Sequence, residues 1–147
     1  MMIAPLLALA LQAAAPAAPP IVSAASPLLG PIGQQALPAK GCAAYLWSTA
    51  DRQLVAMASV DRATLRVSVG GKTLDLARSA ASGTAPLGFA ASTEYRGEGM
   101  SARLTMDVVQ QEGLTAGARV PSGALQIDRP GADGVVVPVA GLIGCAA

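Results

Sequence analysis

Histidine and asparagine are absent from the 147 residues, lysine occurs twice, and the aromatics amount to one Trp, two Tyr and one Phe. Without histidine the chain lacks the commonest general base and the commonest metal ligand. With only Cys42 and Cys145 as thiols, far apart in sequence, a metal site falls short of ligands. Charged residues make up 13%, ten basic against nine acidic, for a net charge of +1. That balance gives no electrostatic reason to expect nucleic acid or an anionic membrane surface as a partner. No G-x-S-x-G elbow is present, and no Ser-x-x-Lys spacing precedes Lys72. Glu94 and Glu98 in "EYRGEG" are close enough for an acid/base pair, but Arg96 between them and the glycines read as a solvated turn. The chemistry therefore points away from an enzyme: no catalytic residue, no cofactor and no metal ligand is assigned.

Charge is also missing along the chain, since the first charged residue is Lys40. Residues 3–11 form a short apolar run followed by Ala-rich sequence with small-residue cleavage positions. This is the layout of a secretory signal peptide, too short to span a membrane as a helix, although no Lys or Arg precedes the run. A signal peptide is expected over 1–18. Residues 19–39, with prolines at 19, 20, 27, 31 and 38, are expected to be a Pro/Ala-rich linker. A folded domain follows over 40–147. Export makes a Cys42–Cys145 disulfide the default pairing. It would close a loop of about 100 residues, for roughly 4–5 kcal/mol in the chain-entropy picture. A periplasmic or secreted location follows, with no membrane insertion once the signal is removed.

What the folded part has in quantity is period-two alternation. "VSVGGKTLDLAR" contains Gly-Lys-Thr, but the residue five before Gly71 is Arg66, not glycine, and strand-like sequence follows Lys72. It is instead a hairpin on a Gly70-Gly71 turn, where positive φ costs glycine little. Val67 then opposes Leu74 and Leu65 opposes Leu76 on one face. Ser68 meets Thr73 and Arg66 meets Asp75 on the other, the ion pair contributing about 0.2–1 kcal/mol. "MSARLTMDV" places Met100, Ala102, Leu104, Met106 and Val108 on one face. Shorter strands are expected in "YLWS", "QLVAMASV", "GFAASTEY" and "ALQID". "GVVVPVAGLIG" is another, with Pro138 predicting an edge or a bulge.

Seven or eight short strands without a long helix predict an all-β domain, a small antiparallel barrel or sandwich. Tyr45 and Trp47 share one strand face and are expected in the core, with a ligand-stacking platform as the alternative. Residues 77–88 and 110–123 are expected to be loops, the second a recognition loop around Arg119.

Gly71, Leu76, Ser79, Ala81, Ser82 and Gly83, with Gly99, Ala102 and Leu104 downstream and the two flanking cysteines, resemble the bacterial periplasmic inhibitors of c-type lysozyme (the MliC/PliC group). The resemblance covers about a third of the body. It implies a small β-barrel whose disulfide ties the chain ends, and a Ser-Gly loop that enters the lysozyme cleft, which implicates Ser79, Ser82 and Gly83. The family's Tyr shortly after Ser-Gly is replaced here by "TAPLGF". No downstream Lys matches its second inserted residue, a place that Arg96 or Arg103 would have to take. The expected function is an exported, non-catalytic envelope domain that binds a protein, such as c-type lysozyme, or a small ligand. Ser79, Ser82, Gly83, Arg96 and Arg119 are its candidate contacts. The alternative is a structural cell-surface or pilus-like subunit that assembles through edge strands.

Overall fold

The computed structural model describes residues 28–114 and 116–146; the expected signal peptide over 1–18 and the first part of the expected linker lie outside them. Among the described residues alternation builds nine strands: β1 (Leu29–Gly30), β2 (Cys42–Ser48), β3 (Leu54–Ser59), β4 (Thr64–Val69), β5 (Lys72–Ser82), β6 (Ser92–Gly97), β7 (Met100–Val109), β8 (Gly117–Asp128) and β9 (Val135–Cys145). All the pairings are antiparallel. The sheet runs β1-β4-β3-β2-β9-β8-β7-β6-β5, and β5 returns to pair with β4. Strands β2 to β9 thus form a closed eight-stranded barrel, and β1 is an extra strand on β4.

The β4–β5 hairpin has the register its alternation predicts: Leu65 opposite Leu76, Arg66 opposite Asp75, Val67 opposite Leu74 and Ser68 opposite Thr73. Gly70 and Gly71 take φ of 60° and 82° at the turn. On the outer face Arg66 Nε donates to Asp75 Oδ1 at 2.8 Å and Nη2 to Oδ2 at 3.1 Å. In β7, Ala102, Leu104 and Met106 are buried, and Met100 and Val108 pack against the core from its ends.

An eight-stranded barrel has an interior just wide enough for side chains to fill. Leu46, Leu65, Leu76, Leu104, Leu125 and Ile127 fill this one, all among the largest fully buried side chains. Cys42 and Cys145 stand directly opposite each other on β2 and β9, with Cα atoms 4.0 Å apart, and are joined by the disulfide. Pro138 interrupts nothing. Its carbonyl accepts the Thr49 N–H on the β2 side, so its missing donor faces that side too, beyond Ser48, the last β2 residue in the ladder.

Four expectations are corrected. Residues 77–82 belong to β5, and the loop starts only at Gly83. Residues 117–123 belong to β8, which takes in Pro121 and Ser122 through a register shift, so of the expected recognition loop only residues 110–114 and 116 lie outside strands among the described residues. The strand expected from Gly88 begins at Ser92, because Pro86–Gly88 form a short 3-10 turn with Leu87 at a left-handed φ of 62°. Tyr45 and Trp47 face outward, since the interior side of β2 is taken by Ala44 and Leu46.

Tyr45 is nonetheless buried, and residues 28–39 are the reason. Read from their prolines as part of a linker, they lie against the barrel as a strap. Leu29 and Ile32 are buried, Ile32 N–H donates to Leu54 O at 2.9 Å, and the Tyr45 hydroxyl donates to Ala36 O at 2.8 Å. Proline is compatible with such a segment because it carries no sheet ladder of its own beyond the two residues of β1.

Candidate functional site

In an up-and-down barrel successive connections alternate between the two ends. Residues 60–63, 83–91, 110–114 and 116 therefore share one end with the disulfide. The turns at 49–53, 70–71, 98–99 and 129–134 share the other.

At the disulfide end β5 outgrows its neighbour. Its ladder with β4 stops at Ala77 opposite Thr64, with one further bond from Arg78 N–H to Ala63 O at 2.9 Å. From there to Ser82 its ladder is with β6 alone: Arg78 opposite Tyr95, Ala80 opposite Glu94, Ala81 opposite Thr93 and Ser82 opposite Ser92. Ser79 is the extra residue at the register shift between Arg78 and Ala80. Every residue from Ala77 to Thr84 is exposed. The small side chains make physical sense here, because no core lies beneath them to reward a larger apolar group.

Beyond Gly83 the chain turns inward. Gly83 has φ of 71°, and a Cβ on it would lie 2.8 Å from Ala91 Cβ, so glycine is required for both conformation and space. Ala85 N–H donates to Phe89 O at 2.9 Å, and Leu87 and Phe89 pack against the core as a plug. The 77–88 segment is thus a projecting strand followed by a folded-in cap. Beneath the cap Tyr95 is 5% exposed. Burial pushes its hydroxyl pKa up, partly offset by a hydrogen bond with Thr93 and the charge of Arg78.

The structure keeps Ser79, Ser82 and Gly83 together, sets Arg96 beside the base of the same run and places Arg119 elsewhere. Arg96 is opposite Ala77 on β5 and Ser101 on β7, two residues along β5 from Ser79 and away from the Ser82–Gly83 tip. Arg119 shares the disulfide end but lies on β8, three strands or about 14 Å around the sheet from β5. It stands opposite Val109 and Leu142, both exposed apolar residues. Arg103 is committed to Glu94 in a surface ion pair, and its hydrogen bond holds the Glu94 carboxyl below the ordinary range. A depressed pKa is the opposite of what a general acid needs. Glu98 sits in the β6–β7 turn at φ of 51°. Among the described residues no three His, Cys, Asp or Glu side chains gather as a metal site. No helix among them is long and apolar enough to cross a membrane.

Sequence reasoning missed that residues 77–82 are strand. The run "ARSAASG" reads as loop because alanine and serine carry little strand signal. It also missed a second concavity, under the strap. This cleft has a volume of about 460 Å³ and is bounded by residues 35–40 on one side and by Met57, Ser59 and Arg66 on the other. Its one sequence-level sign is the apolar Leu29 and Ile32 within the proline-rich stretch.

No family model matches the chain, and no curated protein or solved structure matches it either.

Proposed function

We propose that this chain is an exported envelope β-barrel that acts without catalysis by gripping another protein, and that the grip is the projecting end of β5 with Gly83. The observation that carries the reading is the eight-residue exposed run from Ala77 to Thr84, held as a strand by β6 as far as Ser82 and followed by the Leu87–Phe89 plug. An element ordered before binding loses less entropy on association than a free loop does. The disulfide fits an oxidising compartment outside the cytoplasm. That the partner is a c-type lysozyme rests on the resemblance of Ser79, Ser82 and Gly83 to the inhibitor family's Ser-Gly loop. The barrel with its joined ends agrees with what that resemblance implies. The alternative, assembly through edge strands, is less well supported, because β4–β5 pairing closes the barrel and leaves β5 open on its β4 side only beyond Ala77.

The test is a titration of c-type lysozyme activity with the oxidised full chain. We expect stoichiometric inhibition, lost when Ser82→Trp thickens the tip while the barrel stays folded. No inhibition by a folded, disulfide-bonded sample removes lysozyme as the partner. Inhibition that survives Ser82→Trp moves the contact away from β5.

A further inference from the structure

The strap does not lie flat on the barrel. It is anchored at Ile32, whose N–H donates to Leu54 O, and it runs on into β2. Between those points two long side chains hold it off the sheet. The Tyr45 hydroxyl donates to Ala36 O at 2.8 Å, and Arg66 Nη1 donates to Gln35 Oε1 at 2.7 Å. Arg66 is itself fixed by two bonds to Asp75. Tyr45, Met57 and Arg66 are successive cross-strand neighbours on the outer face of β2, β3 and β4. The two outer members of the row are thus posts, and Met57 between them is left as a floor. The cleft they keep open, about 460 Å³, lies in the size range of small-molecule sites.

Its chemistry is one-sided. Leu37, Pro38 and Met57 are the larger apolar residues of its lining, and the charged lining is Lys40, Arg62 and Arg66 against a single acid, Asp61. Among the described residues the ion pairs are Arg66–Asp75 and Glu94–Arg103, so Lys40 and Arg62 have no carboxylate within ion-pairing reach. The cleft on the outer face of β6, β7 and β8 contrasts with this. There Arg103 pairs with Glu94, Gln126 bonds to Asp128, and no large apolar side chain lines the wall.

We propose that the strap cleft binds an amphiphilic organic anion, a molecule with one carboxylate or phosphate head and an apolar tail. The head sits with Lys40 and Arg62, where the guanidinium offers a planar fork to either anion. The tail lies on Met57, whose unbranched thioether adapts to irregular apolar shapes, and against Leu37. The site is separate from the projecting end of β5 and does not depend on it.

The test uses the oxidised full chain labelled at the methionine methyls with carbon-13, titrated below micelle-forming concentrations. The probes are dodecanoate, dodecyl phosphate and dodecyltrimethylammonium. Met57 reports on the cleft, and buried Met106 reports on the barrel interior. The expected result is a saturable shift of the Met57 methyl with an anionic probe, no shift at Met106, and no saturable shift with the cationic probe. Whichever of the carboxylate and phosphate arms binds more tightly identifies the head. Lys40→Glu with Arg62→Glu, both at exposed positions, should raise the apparent Kd at least tenfold, about 1.4 kcal/mol, with Met106 unmoved. A Met57 methyl that stays still with both anions overturns the proposal. So does equal binding of the cationic probe, or an unchanged Kd in the double variant.

Discussion

The two halves of β5 follow different rules within one strand. From Lys72 to Ala77 it has β4 as partner, and Leu74 and Leu76 alternate into the core between exposed Thr73 and Asp75. From Arg78 to Ser82 it has only β6, and both of its faces are exposed. Side-chain burial maintains the first half. Backbone pairing alone maintains the second, which leaves its surface free for a partner. The barrel therefore puts its stability in one half of the strand, and the other half is the contact surface proposed above.

Four substitutions sharpen that contrast. Leu76→Ala, in the interior half at 0% exposure, should cost about 2–5 kcal/mol through lost burial and the cavity left behind. Ala81→Ser in the projecting half should stay within about 0.5 kcal/mol. Urea denaturation of both variants checks the comparison, and similar costs would break it.

Gly83→Ala comes next. It meets both a left-handed φ and the Ala91 Cβ, so a loss of about 1–3 kcal/mol is expected, with the damage confined to the plug. Amide hydrogen exchange should rise over residues 84–91 before it rises in β4 or β7. Uniform loss of protection would mean that the plug and the barrel unfold as one unit.

The smallest effect is electrostatic. The Arg66 hydrogen bond holds Asp75 below its ordinary pKa of 3.8, against the opposing effect of burial. A carboxyl lowered in the folded state stabilises the fold above the unfolded pKa and gives that up as pH falls through the folded one. Because the Asp75 side chain is 47% exposed, the gain should be no more than about 1 kcal/mol. The stability difference between the parent chain and Asp75→Asn should therefore be present at about pH 7 and vanish near about pH 2. A difference independent of pH would assign the effect to packing instead.

The legible parts of this chain are those where side chains alternate against a core. The β4–β5 register, the buried face of β7 and the pairing of Cys42 with Cys145 all agree with expectation. The misread parts are those whose residues carry little signal of their own. Ala80 and Ala81 are in a strand because β6 pairs with them, and Pro121 is in β8 because a register shift accommodates it. Ser79, Ser82 and Gly83 were legible as one candidate group. Arg119 was not separable from it by spacing, because strand order is not written in linear distance; Arg96 pairs with Ala77 at the base of the run.

What the sequence determined by itself is the all-β class, the hairpin register and the chain-closing disulfide. A period of two and a glycine turn are local properties that any environment must respect. Only the tertiary structure decided which way Tyr45 points, since both faces of β2 are apolar and the barrel interior had room for Ala44 and Leu46. It also turned a proline-rich segment into a strap with a cleft beneath it. That outcome depends on a hydroxyl from β2 and a guanidinium from β4 reaching neighbouring residues of the strap, the Ala36 carbonyl and the Gln35 side chain, a coincidence of three-dimensional position that no local pattern encodes.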